Sequence, residues 1–173
     1  MKRQILIVDG YNMIGAWPEL VKLKNQDKLS DARDLLLFEL SNYGKFRGIE
    51  IVVVFDAQFV PGIQQTYQEF ELTVVFTKKD ETADSYIERV AGEWAARFVQ
   101  ITVATSDLAE QWLVFSKGAL RKSAFELYKD MRETKESIRD EVIESQYKRY
   151  NRNIPWSLSD MKQLESLRDD LSK

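Results

Sequence analysis

The sequence contains neither cysteine nor histidine, and these two absences exclude several kinds of chemistry. Without cysteine there are no disulfides, no thiol nucleophile and no cysteine-ligated zinc. Without histidine there is no Ser-His-Asp triad, no imidazole acid or base and no histidine-bound metal. Any catalysis must therefore depend on carboxylates, hydroxyls, amides, lysine and arginine.

Long apolar runs are missing as well, since none approaches the ~18 residues that a membrane-spanning helix needs. The start, Met-Lys-Arg-Gln-Ile, leads into a strand pattern and differs from a signal peptide. We therefore expect a soluble, cytoplasmic protein. The length of 173 residues suits one domain, and 44% hydrophobic residues exclude a fully disordered chain.

A strong charge of one sign is absent, because the formal net charge is only −3. A general nucleic-acid binder has a basic footprint over much of its surface, and this chain has none. The charge is nevertheless uneven, with −5 over residues 1–116 and +3 over residues 117–152. This distribution fits an acidic metal site with a separate patch that faces a polyanion, although ordinary solvated helix surface is the simpler explanation.

Short apolar runs rich in β-branched residues predict four buried parallel strands, at residues 5–8, 51–55, 72–76 and 101–104. Apolar residues at helical spacing separate most of these runs, over residues 29–43 and 83–98. The alternation predicts an α/β fold: a three-layer α/β/α arrangement around a mainly parallel sheet of about four strands.

The pattern after residue 107 is helical to the end of the chain. It predicts helices over residues 108–115, from about 123 to 150, and over 158–171. Ser123 and Glu126 form a capping box that opens the long middle helix. We therefore expect one domain at residues 1–150, followed by a linker and a C-terminal amphipathic helix at residues 151–173.

Acidic residues follow every predicted strand. Asp9, Asp56 and Asp107 come after the first, second and fourth strands, and the third runs into Glu81 and Asp84 at the entry to a helix. In a parallel sheet all carboxyl ends lie at one edge, where open α/β folds bind ligands. One aspartate after a strand is weak evidence because aspartate is a common turn residue, but four such positions together predict a site.

Carboxylates crowded at one edge repel one another and raise each other's pKa, and a bound divalent cation removes this cost. Ligands that are all oxygen atoms favour Mg²⁺ or Mn²⁺ over zinc. Such a site suits phosphodiester hydrolysis. Asn12 and Ser106 lie close to the predicted edge and can orient water or a phosphate oxygen, or can simply make turn and cap hydrogen bonds.

Four motifs carry a family resemblance, which continues through two further segments: the motifs are VDGYN at 8–12, VFDA at 54–57, ETAD at 81–84 and ATSD at 104–107, and the segments are EQW at 110–112 and GALRKSA at 118–124. Together they resemble the NYN domains of the YacP family, bacterial relatives of PIN-domain ribonucleases, over about residues 4–145. The resemblance implies a metal-dependent endonuclease for single-stranded RNA, in a branch linked to ribosome-associated mRNA cleavage. It implies a catalytic site in which Asp9, Asp84 and Asp107 are metal ligands, completed by Asn12, Asp56 and Glu81.

A second group of residues is suited to binding phosphate. Arg121 and Lys122 lie beside a glycine-containing turn and the start of the long helix, where backbone N–H groups favour anions. With Ser106 they are the predicted RNA-binding residues, and a solvated loop is the alternative. Trp17 is expected to pack its loop onto a helix rather than stack on a base.

Two other functions stay open at this point. One is an RNA- or ribosome-binding module without catalysis, which the four retained acidic positions oppose. The other is a metal phosphatase for small substrates, which differs only in the size of its pocket. We expect RNA and the ribosome as partners, and neither DNA nor a membrane. The RNA sequence preference, the number of metals, the oligomeric state and the role of the last helix are left undetermined.

Overall fold

The computed structural model describes residues 3–57, 72–94, 99–151 and 158–171. Their elements, in chain order, are β1 (Arg3–Asp9), α1 (Gly10–Ala16), α2 (Pro18–Asn25), α3 (Leu29–Arg47), β2 (Glu50–Phe55), β3 (Thr73–Phe76), α4 (Ala83–Trp94), β4 (Val99–Ala104), α5 (Leu108–Ser116), β5 (Leu120–Lys122), α6 (Ala124–Asn151) and α7 (Leu158–Leu171). The chain forms two compact units, Met1–Thr134 and Lys135–Lys173. No described helix has both the length and the apolar character of a membrane span.

The first unit is built on a five-stranded parallel sheet in the order β3-β2-β1-β4-β5. The central strand β1 pairs on both sides, with Asp9 opposite Val54 of β2 and Val8 opposite Ala104 of β4. This register brings the carboxyl ends of β1, β2 and β4 to one edge. The predicted convergence of strand ends is therefore present.

Helices cover both faces of this sheet. Leu6 and Val8 of β1 pack in a core with α1, α2, α3 and the first turns of α6. Ile5 and Ile7 point to the opposite face and pack in a second core with α4 and α5. Successive residues of one strand thus enter two different cores, which is why the strands are apolar without alternation. The predicted three-layer α/β/α fold is confirmed.

The sheet has one strand more than the sequence analysis predicted. Strand β5 occupies part of the segment taken for a turn, and it pairs with β4 through Leu120 opposite Thr102. Three residues carry no hydrophobic pattern of their own, and the basic side chains of β5 are typical of an exposed sheet edge.

Two short helices replace the loop expected after the first strand. Helix α1 begins directly after Asp9, whose side chain caps it. Trp17 lies between α1 and α2, is 4% exposed, and donates its indole N–H to the backbone oxygen of Ala124 at 2.9 Å. The packing role expected for Trp17 is confirmed, and its contact ties the start of α6 to α1 and α2.

The ends of the longer helices follow sequence signals. Helix α3 ends at Gly48, whose φ of 64° is the left-handed conformation that glycine adopts most easily. The predicted capping box is present: the Glu126 N–H donates to Ser123 Oγ at 3.1 Å, and the Ser123 N–H donates to Glu126 Oε2 at 2.6 Å. The two compact units divide within α6. The domain boundary after residue 150 stays a prediction, and most of its linker lies outside the described residues.

Gly10 allows the first helix to approach the sheet closely. A Cβ atom at this position would lie 2.3 Å from the ring of Phe55. We expect Gly10→Ala to lower the free energy of unfolding by about 1–3 kcal/mol, because a packed core resists added volume. Gly15→Ala is the matched control in the same helix, with no atom within 4 Å of the added carbon. Urea denaturation of both variants is the measurement, and equal stabilities would contradict the packing argument.

Candidate metal centre

Three carboxylates from three different elements converge at the carboxyl edge of the sheet. Asp9 is the last residue of β1, Asp84 lies in the first turn of α4, and Glu110 lies in the first turn of α5. One oxygen atom of each lies within 4.8 Å of the others. Helices α4 and α5 both begin at this edge because each is close to the end of a parallel strand. We call Asp9, Asp84 and Glu110 the acidic triad.

Burial dominates the electrostatics of the triad. Asp9 and Glu110 are each only 4% exposed, whereas Asp84 is solvent-accessible. Burial raises the pKa of Asp9 to about 6, and the charges of Asp84 and Asp56 add to the rise. Burial also raises the pKa of Glu110 to about 8, reinforced by the charges of Asp9, Asp84 and Asp107. The triad therefore opposes full ionisation at neutral pH.

Glu110 is the most costly member to ionise. Neither of its carboxyl oxygens is accessible to solvent or has a hydrogen-bond partner of normal geometry in the described part of the chain. The side chain of Thr105 lowers the pKa of Glu110, but this effect is smaller than the rise that burial causes. A buried carboxylate needs either a proton or a cation to offset its lost hydration. Three oxygen donors at this spacing can hold a divalent metal ion.

Asn12 orients the carboxylate of Asp9. Its side-chain amide donates to Asp9 Oδ2 at 3.0 Å, and its backbone N–H donates to Asp9 Oδ1 at 3.2 Å. Both bonds lower the pKa of Asp9 against the effect of burial. The amide oxygen of Asn12 in turn accepts from the backbone N–H of Ser106 at 3.1 Å and from its hydroxyl. Asn12 and Ser106 thus connect the ends of β1 and β4.

Asp107 and Asp56 surround the triad without belonging to it. Asp107 is the N-cap of α5, with Oδ1 accepting from the backbone N–H of Ala109 at 2.8 Å. After burial, its charge is the next largest cause of the raised pKa of Asp84. Asp56 follows β2 directly, and its charge raises the pKa of both Asp9 and Asp84. All four predicted strand-end positions therefore supply charge to one region, while the assignment of Asp107 as a ligand stays a prediction.

Glu81 was predicted from the sequence as a site residue, whereas Glu110 had no predicted role. Glu81 accepts from Arg89 of α4 at 3.0 Å and lies outside the triad. Glu110 is three residues after the N-cap Asp107, a position where an acid ordinarily complements the helix dipole. One signal was available, since Glu110 is the sole charged residue between positions 108 and 116.

The two predicted phosphate-binding cations have different surroundings. Arg121 is exposed on β5 and donates from Nη1 to the side-chain oxygen of Gln111 at 2.9 Å. Lys122 forms an ion pair with Asp130 of α6. The guanidinium of Arg121 has five N–H donors. The hydrogen bond to Gln111 uses one of them and orients the group.

The raised pKa values predict how stability changes with pH in the absence of divalent cations. In the folded protein the pKa values of Glu110 and Asp9 lie above the ordinary values of 4.5 and 3.8, so both carboxyls hold their protons more tightly. Their contribution is therefore most favourable below those values and is lost as pH rises toward about 8. Glu110→Gln cannot ionise, so at pH 8 it should unfold with a free energy about 1–3 kcal/mol above wild type.

Urea denaturation in EDTA between about pH 5 and 8 is the measurement. Glu93→Gln, which removes an exposed carboxylate of α4, is the matched control and should keep the wild-type slope. Parallel pH profiles for wild type and Glu110→Gln would contradict the burial argument.

Comparison with known proteins agrees with the fold. The profile of the YacP-like NYN domain matches residues 6–169. The chain is 47% identical over 127 residues to YacP of Bacillus subtilis (strain 168), spanning 73% of this chain and 74% of that protein. It is also similar to the crystal structure of Rae1 (YacP) from Bacillus subtilis, with a TM-score of 0.73, 42% identity and 97% of each chain covered. The W164L mutant of that protein matches with a TM-score of 0.68 and 40% identity, over 91% of this chain and 89% of the other. The chain therefore belongs to the YacP-like NYN domain family, whose fold is of the nuclease type.

Proposed function

We propose that this protein is a Mg²⁺- or Mn²⁺-dependent endoribonuclease that hydrolyses phosphodiester bonds of single-stranded RNA. The observation that carries the proposal is the buried carboxyl group of Glu110, which lacks a partner of normal geometry in the described residues and lies beside Asp9 and Asp84. A bound cation would offset the hydration that such a buried carboxylate has lost. Membership of the NYN family supports the same conclusion, because NYN and PIN-like nucleases use divalent metals.

The proposed metal is a hard divalent cation. Asp9, Asp84 and Glu110 would hold it, and Asp107 is the further ligand proposed from the sequence. The donors are carboxylate oxygens, which suit Mg²⁺ and Mn²⁺, and the chain has no histidine or cysteine to favour zinc. When bound, such an ion activates water and offsets negative charge on the phosphoryl group.

The remaining residues of the site position this chemistry. Asn12 fixes both carboxylate oxygens of Asp9, and Ser106 fixes the amide of Asn12. Asp56 adds negative charge beside Asp9, which strengthens the attraction for a cation. Glu81 accepts a hydrogen bond from Arg89 of α4, so we assign Glu81 a role in stabilising the start of that helix.

Substrate binding is assigned to the basic side of the same edge. Arg121 is exposed and held by Gln111, and we propose that it binds a phosphate of the RNA strand. The ion pair of Lys122 with Asp130 leaves it a smaller part in this contact. Ser106 is bonded to Asn12 beside the triad, and we propose that it contributes to RNA binding.

Removing one ligand of the triad should abolish cleavage. We expect Asp84→Asn to lower the rate of cleavage of labelled single-stranded RNA by at least about 100-fold with Mg²⁺ or Mn²⁺. The reason is that the substitution removes the one solvent-exposed carboxylate of the triad. Asp80→Asn is the matched control, a nearby exposed aspartate outside the triad. Calorimetric titration of Mn²⁺ should show weakened binding for Asp84→Asn alone.

Three results would separate the alternatives. Cleavage by Asp84→Asn at the wild-type rate would refute the metal-site assignment. RNA binding without cleavage by wild type would indicate a binding module. Hydrolysis of small phosphate esters in place of RNA would indicate a phosphatase, and single-stranded DNA of the same sequence should stay intact.

We further propose that the substrate is mRNA presented by the ribosome in the cytoplasm. A net charge of −3 supports weak affinity for free RNA, because phosphate neutralisation supplies most nonspecific binding. A partner that holds RNA at high local concentration offsets this weakness. We expect slow cleavage of naked mRNA and faster, position-specific cleavage of ribosome-bound mRNA. Equal rates and equal cut sites on both would argue for a free-standing nuclease, as would failure of Asp84→Asn to sediment with ribosomes.

A further inference from the structure

Helix α5 has the reverse of the usual distribution of polar and apolar side chains. Its buried face includes Glu110 and Gln111, which are 4% and 2% exposed. Its outer face presents Leu108, Trp112 and Phe115, which are 69%, 70% and 54% exposed. These three residues are spaced by four and three positions, so they form one stripe, which we call the α5 face. A tryptophan exposed to this extent within an apolar stripe marks a contact surface.

The α5 face starts at the end of α5 that also provides Glu110 to the candidate metal centre. Asp107 caps α5 and Glu110 lies in its first turn, while Trp112 lies in the second. Long side chains of a helix lean toward its N-terminus, so a residue in the second turn covers the surface of the first. Trp112 therefore covers the outer surface of the first turn of α5, while Glu110 of the same turn lies on the buried side.

A fixed cation borders the same stripe. Gln111 donates from Nε2 to the backbone oxygen of Thr105 at 2.8 Å and accepts from Arg121 at 2.9 Å. Around the helix axis Gln111 lies beside Phe115 and Leu108, because three or four residues separate neighbours on a helix surface. The guanidinium of Arg121 is thus held close to the apolar stripe by a buried side chain.

We propose that the α5 face is a base-stacking subsite for single-stranded RNA, in which Trp112 stacks on a nucleobase of the bound strand. Arg121 binds a neighbouring phosphate of the same strand. This inference rests on the proposed ribonuclease function. The combination of an aromatic platform with a positively charged contact is how proteins bind single strands, and bases within a duplex do not offer their faces to it. The outer face of α5 carries no charged residue that would repel phosphate.

Binding is best measured in EDTA, so that no metal-dependent cleavage takes place. The probes are fluorescently labelled oligo(A) and a labelled abasic ribose-phosphate oligomer of equal length. Their binding is measured by fluorescence anisotropy at low salt. Trp112→Ala should lower the affinity for oligo(A) by about tenfold, because base stacking is lost. Trp112→Phe should keep most of the affinity. Neither change should alter the weaker binding of the abasic oligomer.

Two further variants act as controls. Trp94→Ala removes a tryptophan that is 36% exposed at the far end of α4, and it should bind both probes as wild type does. Arg121→Ala should weaken binding of both probes and reduce its dependence on salt, since it removes a phosphate contact. Thermal unfolding of each variant verifies that the fold is kept.

The proposal would be overturned if Trp112→Ala bound oligo(A) as tightly as wild type does. It would also be overturned if wild type bound no oligo(A). In either case the α5 face would be assigned to a protein partner. Cleavage assays distinguish this failure from failure of the proposed function. If wild type cleaves RNA and Trp112→Ala has an unchanged KM, the stacking subsite is wrong and the nuclease stands. If wild type cleaves no RNA but binding depends on Trp112, the subsite stands and the nuclease assignment is wrong.

Discussion

The burial of two carboxyl groups within reach of a third is the constraint on which the site depends. Asp9 and Glu110 are almost completely removed from solvent, and the pKa of each is raised by that burial. Carboxylates in such surroundings are stable as anions only when a positive charge is shared among them. The fold holds them together nevertheless, because Asp9 ends the central strand of the sheet, which is paired on both sides.

Rigid neighbours keep this strained arrangement in place. Gly10 allows α1 to lie directly against Phe55. In this position Asn12 donates hydrogen bonds to both carboxylate oxygens of Asp9. On the other side of β1, Ser106 after β4 completes the connection through Asn12. A site whose ligands are fixed before a cation arrives loses little conformational freedom on binding it.

Helix α5 joins the chemistry to the proposed substrate contact. Its inner face provides Glu110 to the triad and Gln111 to both β4 and Arg121, while its outer face leaves Trp112 exposed. One short helix therefore positions an acid and, through Gln111, a cation on its inner side, and an aromatic ring on its outer side.

The sequence by itself determined the layered α/β fold and the edge at which the acids meet, because apolar runs and residues that end strands depend on local pattern. It also determined the capping box and the last helices, which depend on short-range spacing. The tertiary structure alone decided that residues 120–122 form a strand, since a segment that short takes its conformation from pairing with β4. It alone decided the position of Glu110 as well. A helix N-terminus accepts an acid in its first turn wherever it lies, and only packing against the sheet buries that acid beside Asp9.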